Sequence, residues 1–272
     1  MVDVSPPDPP PPAGAVRRIR GDGRADLLVQ EEPLLLVVHG QQLLTMRTPG
    51  RDDDLALGFL LGEGIVASAA DVRETAAVAA DAARGQPDEL HVTLAREPDA
   101  AVRGRLARTH EIRSSCGICG MADPSALLDD LPPLLPGVPR VPRDGVPRLV
   151  QLLGAHQPLF AATGGCHAAV VAAADGTLLG HGEDVGRHNA LDKAIGMAAR
   201  AGADLGRSIA VLSGRAGFDL VLKCLRVRIP VVVSVSAPSG LAFDLCRAAG
   251  ATLLGFARGA DHRVYTDGAR LC

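Results

Sequence analysis

Ile209-Ala210-Val211-Leu212-Ser213-Gly214-Arg215 and Val231-Val232-Val233-Ser234-Val235-Ser236-Ala237-Pro238-Ser239-Gly240 frame the stretch that decides the fold. Each opens on a short apolar run and stops at a polar turn containing glycine. Runs of this length and composition read as strands. Between them Ala216 to Arg228 reads as a helix, and Ser239 to Ala249 as the next. A third run, Leu253 to Phe256, follows, and Val264-Tyr265 extends the sheet. Strand–helix–strand alternation predicts parallel pairs joined by helical crossovers, hence an α/β layered domain.

Upstream the pattern continues. Arg187 to Ala201 reads as a helix. Cys166 to Ala173 and Thr177 to Gly180 read as strands joined by the turn pair Asp175-Gly176. Pro147 suits the first turn of a helix running towards Gln157. Residues 132–147 carry six prolines and read as a linker. Before it, Leu34 to Val38, His39-Gly40 and Leu43 to Met46 form a predicted hairpin, and Arg51-Asp52-Asp53-Asp54 opens a helix over Leu55 to Leu61. Residues 88–95 read as a strand and 98–108 as a short helix. The expected organisation is a disordered proline-rich leader over 1–14, a smaller α+β lobe over 15–131, the linker over 132–147 and the α/β lobe over 148–272.

Composition excludes several functions. Lys plus Arg is 28 and Asp plus Glu 31, a net charge of −3 in 272 residues, which fits neither a basic nucleic-acid binder nor an acidic disordered tail. Five Phe, one Tyr and no Trp leave few rings on which to stack single strands. No run of 18 apolar residues predicts a membrane span. The first residues lack a signal-peptide layout, so the expected compartment is the cytoplasm, with neither nucleic acid nor membrane as partner. Six cysteines in so long a chain do not make a disulfide scaffold.

Three groups of residues carry chemistry. Ser114-Ser115-Cys116-Gly117-Ile118-Cys119-Gly120 sets two thiols at i and i+3 on one side of a glycine-flanked turn. Such a thiolate is a nucleophile or a soft metal ligand; with a single CxxC, sulfur chemistry, half a zinc site and plain surface cysteines all stand as readings. Thr163-Gly164-Gly165, Ser213-Gly214-Arg215, Ser236-Ala237-Pro238-Ser239-Gly240 and Gly255-Phe256-Ala257-Arg258-Gly259 are polar turns. In open α/β sheets ligands bind beyond the carboxyl ends of strands, where helix starts offer N–H groups to anions. Arg215 and Arg258 suit phosphates, so the turns read as a nucleotide-like site or as simple βα loops. Third, eight of the thirteen residues from His181 to Lys193 are charged, His or Asn, a catalytic group or an ion-pair network that orders the loop. His181-x-Glu183 also echoes the H-x-E of zinc deaminases, but the matching downstream turn at Pro238 has no cysteines, so no zinc trio is completed and no tightly bound zinc is expected. Cys166, Cys224 and Cys246 read as core.

Taken together the motifs resemble the formate dehydrogenase accessory sulfurtransferase family (FdhD type). The matching stretches are Thr48-Pro49, Asp54 to Leu60, Glu63-Gly64-Ile65, Ser114 to Gly120, Thr163 to Gly165 with His167-Ala168-Ala169, Glu183 to Lys193, Ser213 to Arg215, Ser236 to Ser239, and Gly255 to Arg258 with Tyr265-Thr266. The resemblance implies a cytidine-deaminase-like larger lobe without zinc, a homodimer, and a cysteine desulfurase as sulfur donor. It implies a persulfide on Cys116, with Cys119 as relay or resolving thiol. It also implies delivery of that sulfur to the molybdenum bis(molybdopterin guanine dinucleotide) cofactor of a formate dehydrogenase apoprotein. A chaperone that only holds the cofactor is the alternative, and a degenerate zinc deaminase a more distant one. Phe256, Ala257, Arg258, Gly259, Ala260 and Asp261 are expected at the guanine nucleotide, and Gly164, Gly165, Ser213, Gly214, Arg215, Ser236 and Ser239 in the surrounding turns. Four places depart from the usual pattern: His39 before Gly40, Gly182 before Glu183, Ala216 to Asp219, and Arg226 to Arg228.

Overall fold

The computed structural model describes residues 10–81, 83–111 and 131–272. Cys116 and Cys119 lie outside the described residues, as do residues 1–9 of the leader. The order of elements is β1 (Ala15–Ile19), β2 (Ala25–Val29), β3 (Glu32–Val38), β4 (Gln41–Arg47), α1 (Asp52–Gly62), β5 (Val72–Val78), β6 (Asp88–Leu94), α2 (Ala100–Glu111), α3 (Val146–Ala155), α4 (Pro158–Thr163), β7 (His167–Ala172), β8 (Leu178–Asp184), α5 (Arg187–Arg200), β9 (Ile209–Leu212), α6 (Phe218–Arg226), β10 (Val231–Ser234), α7 (Gly240–Ala249), β11 (Thr252–Arg258) and β12 (Asp261–Thr266). The fold is a mixed α/β one, as the alternation predicts.

A six-stranded sheet in the order β12-β11-β10-β9-β7-β8 forms its centre. Strands β9, β10 and β11 are parallel, whereas β12, β7 and β8 pair antiparallel with their neighbours. Alternate side chains serve opposite faces. Val170, Val211, Val231 and Val233 pack with Val146, Leu149 and Leu153 of α3. Val171, Ala210, Leu212 and Val232 pack with α5, α6 and α7 through Leu191, Ile195, Val221 and Leu245. A second sheet, β4-β3-β6-β5, lies beyond α1, and its Leu34, Leu36, Leu90 and Val92 enter the same apolar cluster.

Local chemistry explains most of these elements. The β3–β4 turn has His39 at φ 47° and Gly40 at φ 78°, the pair of positive angles a two-residue hairpin turn demands, so His39 takes a strained place that asparagine or glycine fills more easily. Arg228, a departure from the family pattern, takes φ 66° where a glycine is at ease. Helix α6 starts two residues later than its sequence suggests. The Ala216 N–H donates to Ala237 O (3.2 Å) and Ala216 O accepts from Ser239 N (3.0 Å), so a loop contact takes the groups a helix turn would use. Strand β5 is an alanine-rich strand at the edge of its sheet with no buried residue, and α4 is six residues long; neither carries the periodicity that would have announced it. Residues 132–142 close on the C-terminus: Val141 is fully buried and bridges Leu271. The buried Arg270 guanidinium donates to Leu135 O (2.8 Å), Val138 O (2.8 Å) and Gly250 O (2.5 Å).

The two sheets are joined where α1 crosses α5. A Cβ on Gly58 would lie 1.8 Å from Asp192 O, and one on Gly196 1.9 Å from Asp54 O, so the backbones touch through two glycines. Buried charges latch the crossing. Lys223 Nζ lies 3.0 Å from Asp192 and from Glu63, and Arg226 reaches Glu63 at 3.3 Å. Burial alone would push the Lys223 pKa down, but the two carboxylates outweigh it and hold the ammonium protonated. A second latch is Lys193 Nζ on Asp184 (2.8 Å) and on Thr48 O (2.8 Å), with Asp184 accepting from Thr48 N (3.1 Å).

Two outcomes follow for urea unfolding. An exposed helical Gly→Ala change gains about 1 kcal/mol; Gly58→Ala will instead lose about 3 kcal/mol through overpacking, and a gain would mean the helices stand farther apart. Lys223→Met leaves Asp192 buried and unpaired and will cost about 3 kcal/mol, most of it recovered when Asp192→Asn is added; simple additivity of the two losses would contradict the latch.

Candidate functional site

Parallel strands β9, β10 and β11 end at one edge of the central sheet. Strand β8 ends there too, and β7 begins there because it runs antiparallel to both neighbours. This edge collects Gly164 to His167, Asp184 to His188, Ser213 to Arg215, Ser236 to Ser239 and Phe256 to Asp261, the polar turns the sequence singled out. They are fastened to each other. Ser213 Oγ accepts from Ala168 N (2.8 Å), Ser234 Oγ donates to Gly214 O (2.7 Å), and the Phe256 N–H donates to Ser236 O (3.0 Å). Arg258 Nε donates to Val235 O (3.1 Å). Ser239 caps α7, its Oγ accepting from Ala242 N (3.2 Å).

Several expectations need correction. Thr163-Gly164-Gly165 stands at the end of helix α4, not at the start of one. Gly164 takes φ 64° as its cap and donates to Phe160 O (2.7 Å), while Gly165 N donates to Thr163 Oγ1 (3.2 Å). These two amides are occupied, so the anion argument from helix starts does not apply to them. Ala257 turns its side chain into the core beneath α3 and is fully buried. Glu183, the acid of the deaminase-like spacing, accepts from Leu159 N (3.0 Å) and Phe160 N (2.8 Å) and so caps α4 from outside the helix. Gly182, where the family pattern usually carries a side chain, has no room for one: a Cβ would lie 2.3 Å from Ala190 O.

The rim carries the guanidinium groups of Arg187, Arg215 and Arg258, and the carboxylate of Asp219 faces two of its basic side chains. Asp219, in the first turn of α6, takes both His188 Nε2 and Arg187 Nη2, the latter at 3.2 Å. Burial would raise the Asp219 pKa; the His188 contact and the Arg187 charge reverse this and hold the carboxyl below its ordinary range. Sequence reasoning named Asp219 only within the departing stretch Ala216 to Asp219 and did not pair it with His188, from which it lies 31 residues away. His167 was likewise only part of a motif. Its half-buried ring lies against Gly214, where a Cβ would stand 3.3 Å from Nδ1. Burial, then the charges of Arg187, Arg215 and His188, push its pKa below the ordinary 6.5, leaving a neutral imidazole among cations at pH 7.

Cys166, Cys224 and Cys246 are buried, as their apolar surroundings predict. Burial pushes the Cys166 thiol up to about 12, with Glu183 adding to the effect, and pushes Cys246 up to about 12 as well. None of these three is a ready nucleophile. A separate groove of about 600 Å³, lined among others by Val66, Val102, Leu205 and Arg228, lies at the opposite, amino ends of β9 and β10.

Residues 29–272 match the sequence model of the FdhD/NarQ family. The chain belongs to that family. The sulfur carrier protein FdhD of Anaeromyxobacter dehalogenans (strain 2CP-C) is 44% identical over 96% of this chain and 95% of its own length. That of Streptomyces coelicolor is 40% identical over 91% of this chain and 90% of its own. A solved structure from Desulfotalea psychrophila, described as a formate dehydrogenase accessory protein, superposes with a TM-score of 0.70 at 25% identity, covering 95% of this chain and 98% of that one. The motifs of the sequence resemblance that fall on described residues therefore sit on a family fold, most of them at one rim.

The electrostatics of the rim are open to measurement by NMR titration of the His167 ring. Its pKa will lie below that of a histidine in the unfolded chain, and Arg215→Ala will raise it; a value unmoved by that change would remove Arg215 from the site.

Proposed function

We propose that the chain is a sulfur carrier that receives sulfane sulfur from a cysteine desulfurase and delivers it to the molybdenum bis(molybdopterin guanine dinucleotide) cofactor, its substrate, for a formate dehydrogenase apoprotein. The observation that carries this reading is the convergence of five polar loops with Arg187, Arg215, Arg258 and neutral His167 at the carboxyl edge, in a chain of this family. A dinucleotide is a polyanion with flat bases, and guanidinium groups beside βα loops suit its phosphates. In this reading Phe256 and Arg258 to Asp261 take the guanine nucleotide, with Ser213, Gly214, Arg215, Ser236 and Ser239 around it. The layering of α3, the central sheet and α5 to α7 is read as cytidine-deaminase-like, the working form as a homodimer and its compartment as the cytoplasm.

The sulfur step belongs to Cys116. Its thiolate attacks the outer sulfur of the donor persulfide, the donor S–S bond breaks, and the donor cysteine leaves as thiolate. Delivery reverses the roles: the Cys116 S–S bond breaks, Cys116 leaves as thiolate, and the receiving metal centre supplies the two electrons that turn sulfane sulfur into sulfide. Cys119 is the relay or resolving thiol. The buried cysteines Cys166, Cys224 and Cys246 do not compete, because their thiols are held protonated.

Intact mass after incubation with cysteine and a cysteine desulfurase tests the carrier. The wild type will gain whole sulfur atoms, reductant will remove them, and Cys116→Ala will gain none. Formate dehydrogenase activity in cells carrying only Cys116→Ala will be lost. Full activity with that variant would replace the carrier with a chaperone that only holds the cofactor.

A further inference from the structure

Phe256 holds a backbone conformation that bulky residues rarely adopt, at φ 51°. The cause is a register shift between Gly255 and Arg258 in the β11–β12 pair. The bulge is pinned on both sides. Gly255 has no space for a side chain, since a Cβ would lie 2.8 Å from the Tyr265 ring and 2.9 Å from Pro238, and Ala257 is sunk in the core. The Phe256 ring therefore stays partly exposed at the rim instead of entering the core, as strained residues at binding sites do.

Arg263 stands across from Gly255 in the β11–β12 register and lays its guanidinium over the Phe256 ring, 4.5 Å from the centroid. The Arg263 side chain is exposed and makes no hydrogen bond or ion pair among the described residues, so the ring is the contact the structure gives its guanidinium. A free arginine on a strand loses rotamer freedom when it settles on a ring, and the cation–π attraction offsets that loss. Arg187 and Arg215 lie on other loops, and Arg258, on the same hairpin, turns its Nε to Val235 O (3.1 Å).

We propose that Arg263 is a positioning residue for the purine base of the nucleotide substrate, holding the Phe256 ring from one face so that the base stacks on the other. This rests on the nucleotide reading given above. A cation over one face draws π-density from the ring and favours an electron-rich partner such as guanine on the opposite face. Arg263 acts through Phe256, not on the phosphates, and this separates it from the other arginines of the rim.

Calorimetric titration with guanosine and with GDP, on the full chain, tests it. Arg263→Gln will weaken both probes alike, by about 3- to 10-fold, and Arg263→Lys will lose less. In a Phe256→Leu background Arg263→Gln will add almost nothing. Circular dichroism melting of each variant keeps loss of fold apart from loss of binding. Weakening of GDP alone would make Arg263 a phosphate ligand and overturn the inference. An undiminished effect in the Phe256→Leu background, or unchanged affinity in Arg263→Gln, would overturn it as well. If the wild type binds neither probe, the nucleotide reading itself fails and this inference falls with it.

Discussion

The crossing of α1 over α5 is the contact on which the rest of the structure depends. Two helices that meet backbone to backbone need glycine at the point of contact, and Gly58 and Gly196 are placed one on each helix. The gain is close packing of two otherwise apolar surfaces. Beside the crossing lie the Glu63–Lys223–Asp192 and Asp184–Lys193 ion pairs. Buried ion pairs contribute little net stability, but they admit one arrangement of the helices, because any other would leave a charge unpaired. The apolar cluster then runs without a break from the β3–β6 sheet to the face of the central sheet.

That crossing also builds the rim. Thr48 follows β4, and its backbone and hydroxyl bind Asp184, Val185 and Lys193. The end of β8 and the start of α5 are thus held from the other sheet. Gly180 and Gly182 let α5 lie directly on β8, which sets Arg187 and His188 within reach of Asp219. Several hydrogen-bonding groups at the rim are already engaged, as in Ser213, Glu183 and Gly164. The guanidinium of Arg215 and the Phe256 ring are directed outward by elimination, since the backbone around them is used to join loop to loop.

Among the described residues, His39, Arg51, Arg228, Phe256 and Ala269 take positive φ without being glycine. His39 and Arg228 take left-handed angles at turns, where the cost is local and tolerated. Arg51 takes φ 60° before α1, and its guanidinium is held by Asp54 (2.8 Å) and by His181 O (2.5 Å), a link from the start of α1 to β8. Phe256 differs in kind, since its strain keeps a large apolar ring at the edge of a polar cleft.

Most strands and helices, and the rim turns, were legible in the sequence because each rests on a local rule, whereas β5 and α4 were not. A buried parallel strand is a short apolar run, and a loop leaving its carboxyl end must start the next helix within a few residues, so Ser213-Gly214-Arg215 and Ser236 to Gly240 announced themselves. The family likeness was legible for the same reason, as a series of short motifs in order. Tertiary structure alone decided what those motifs do to each other. Glu183 looked like an acid beside a histidine and is a cap for a helix that has no local signal, because its partners, Leu159 and Phe160, lie on another element. Asp219 joined His188, and Arg263 covered Phe256, through packing between elements far apart or offset by a bulge. Sequence spacing carries the period of a strand or helix, but side-chain partners across elements are set by register and crossing distance. Those depend on which residues are small enough to let two backbones meet.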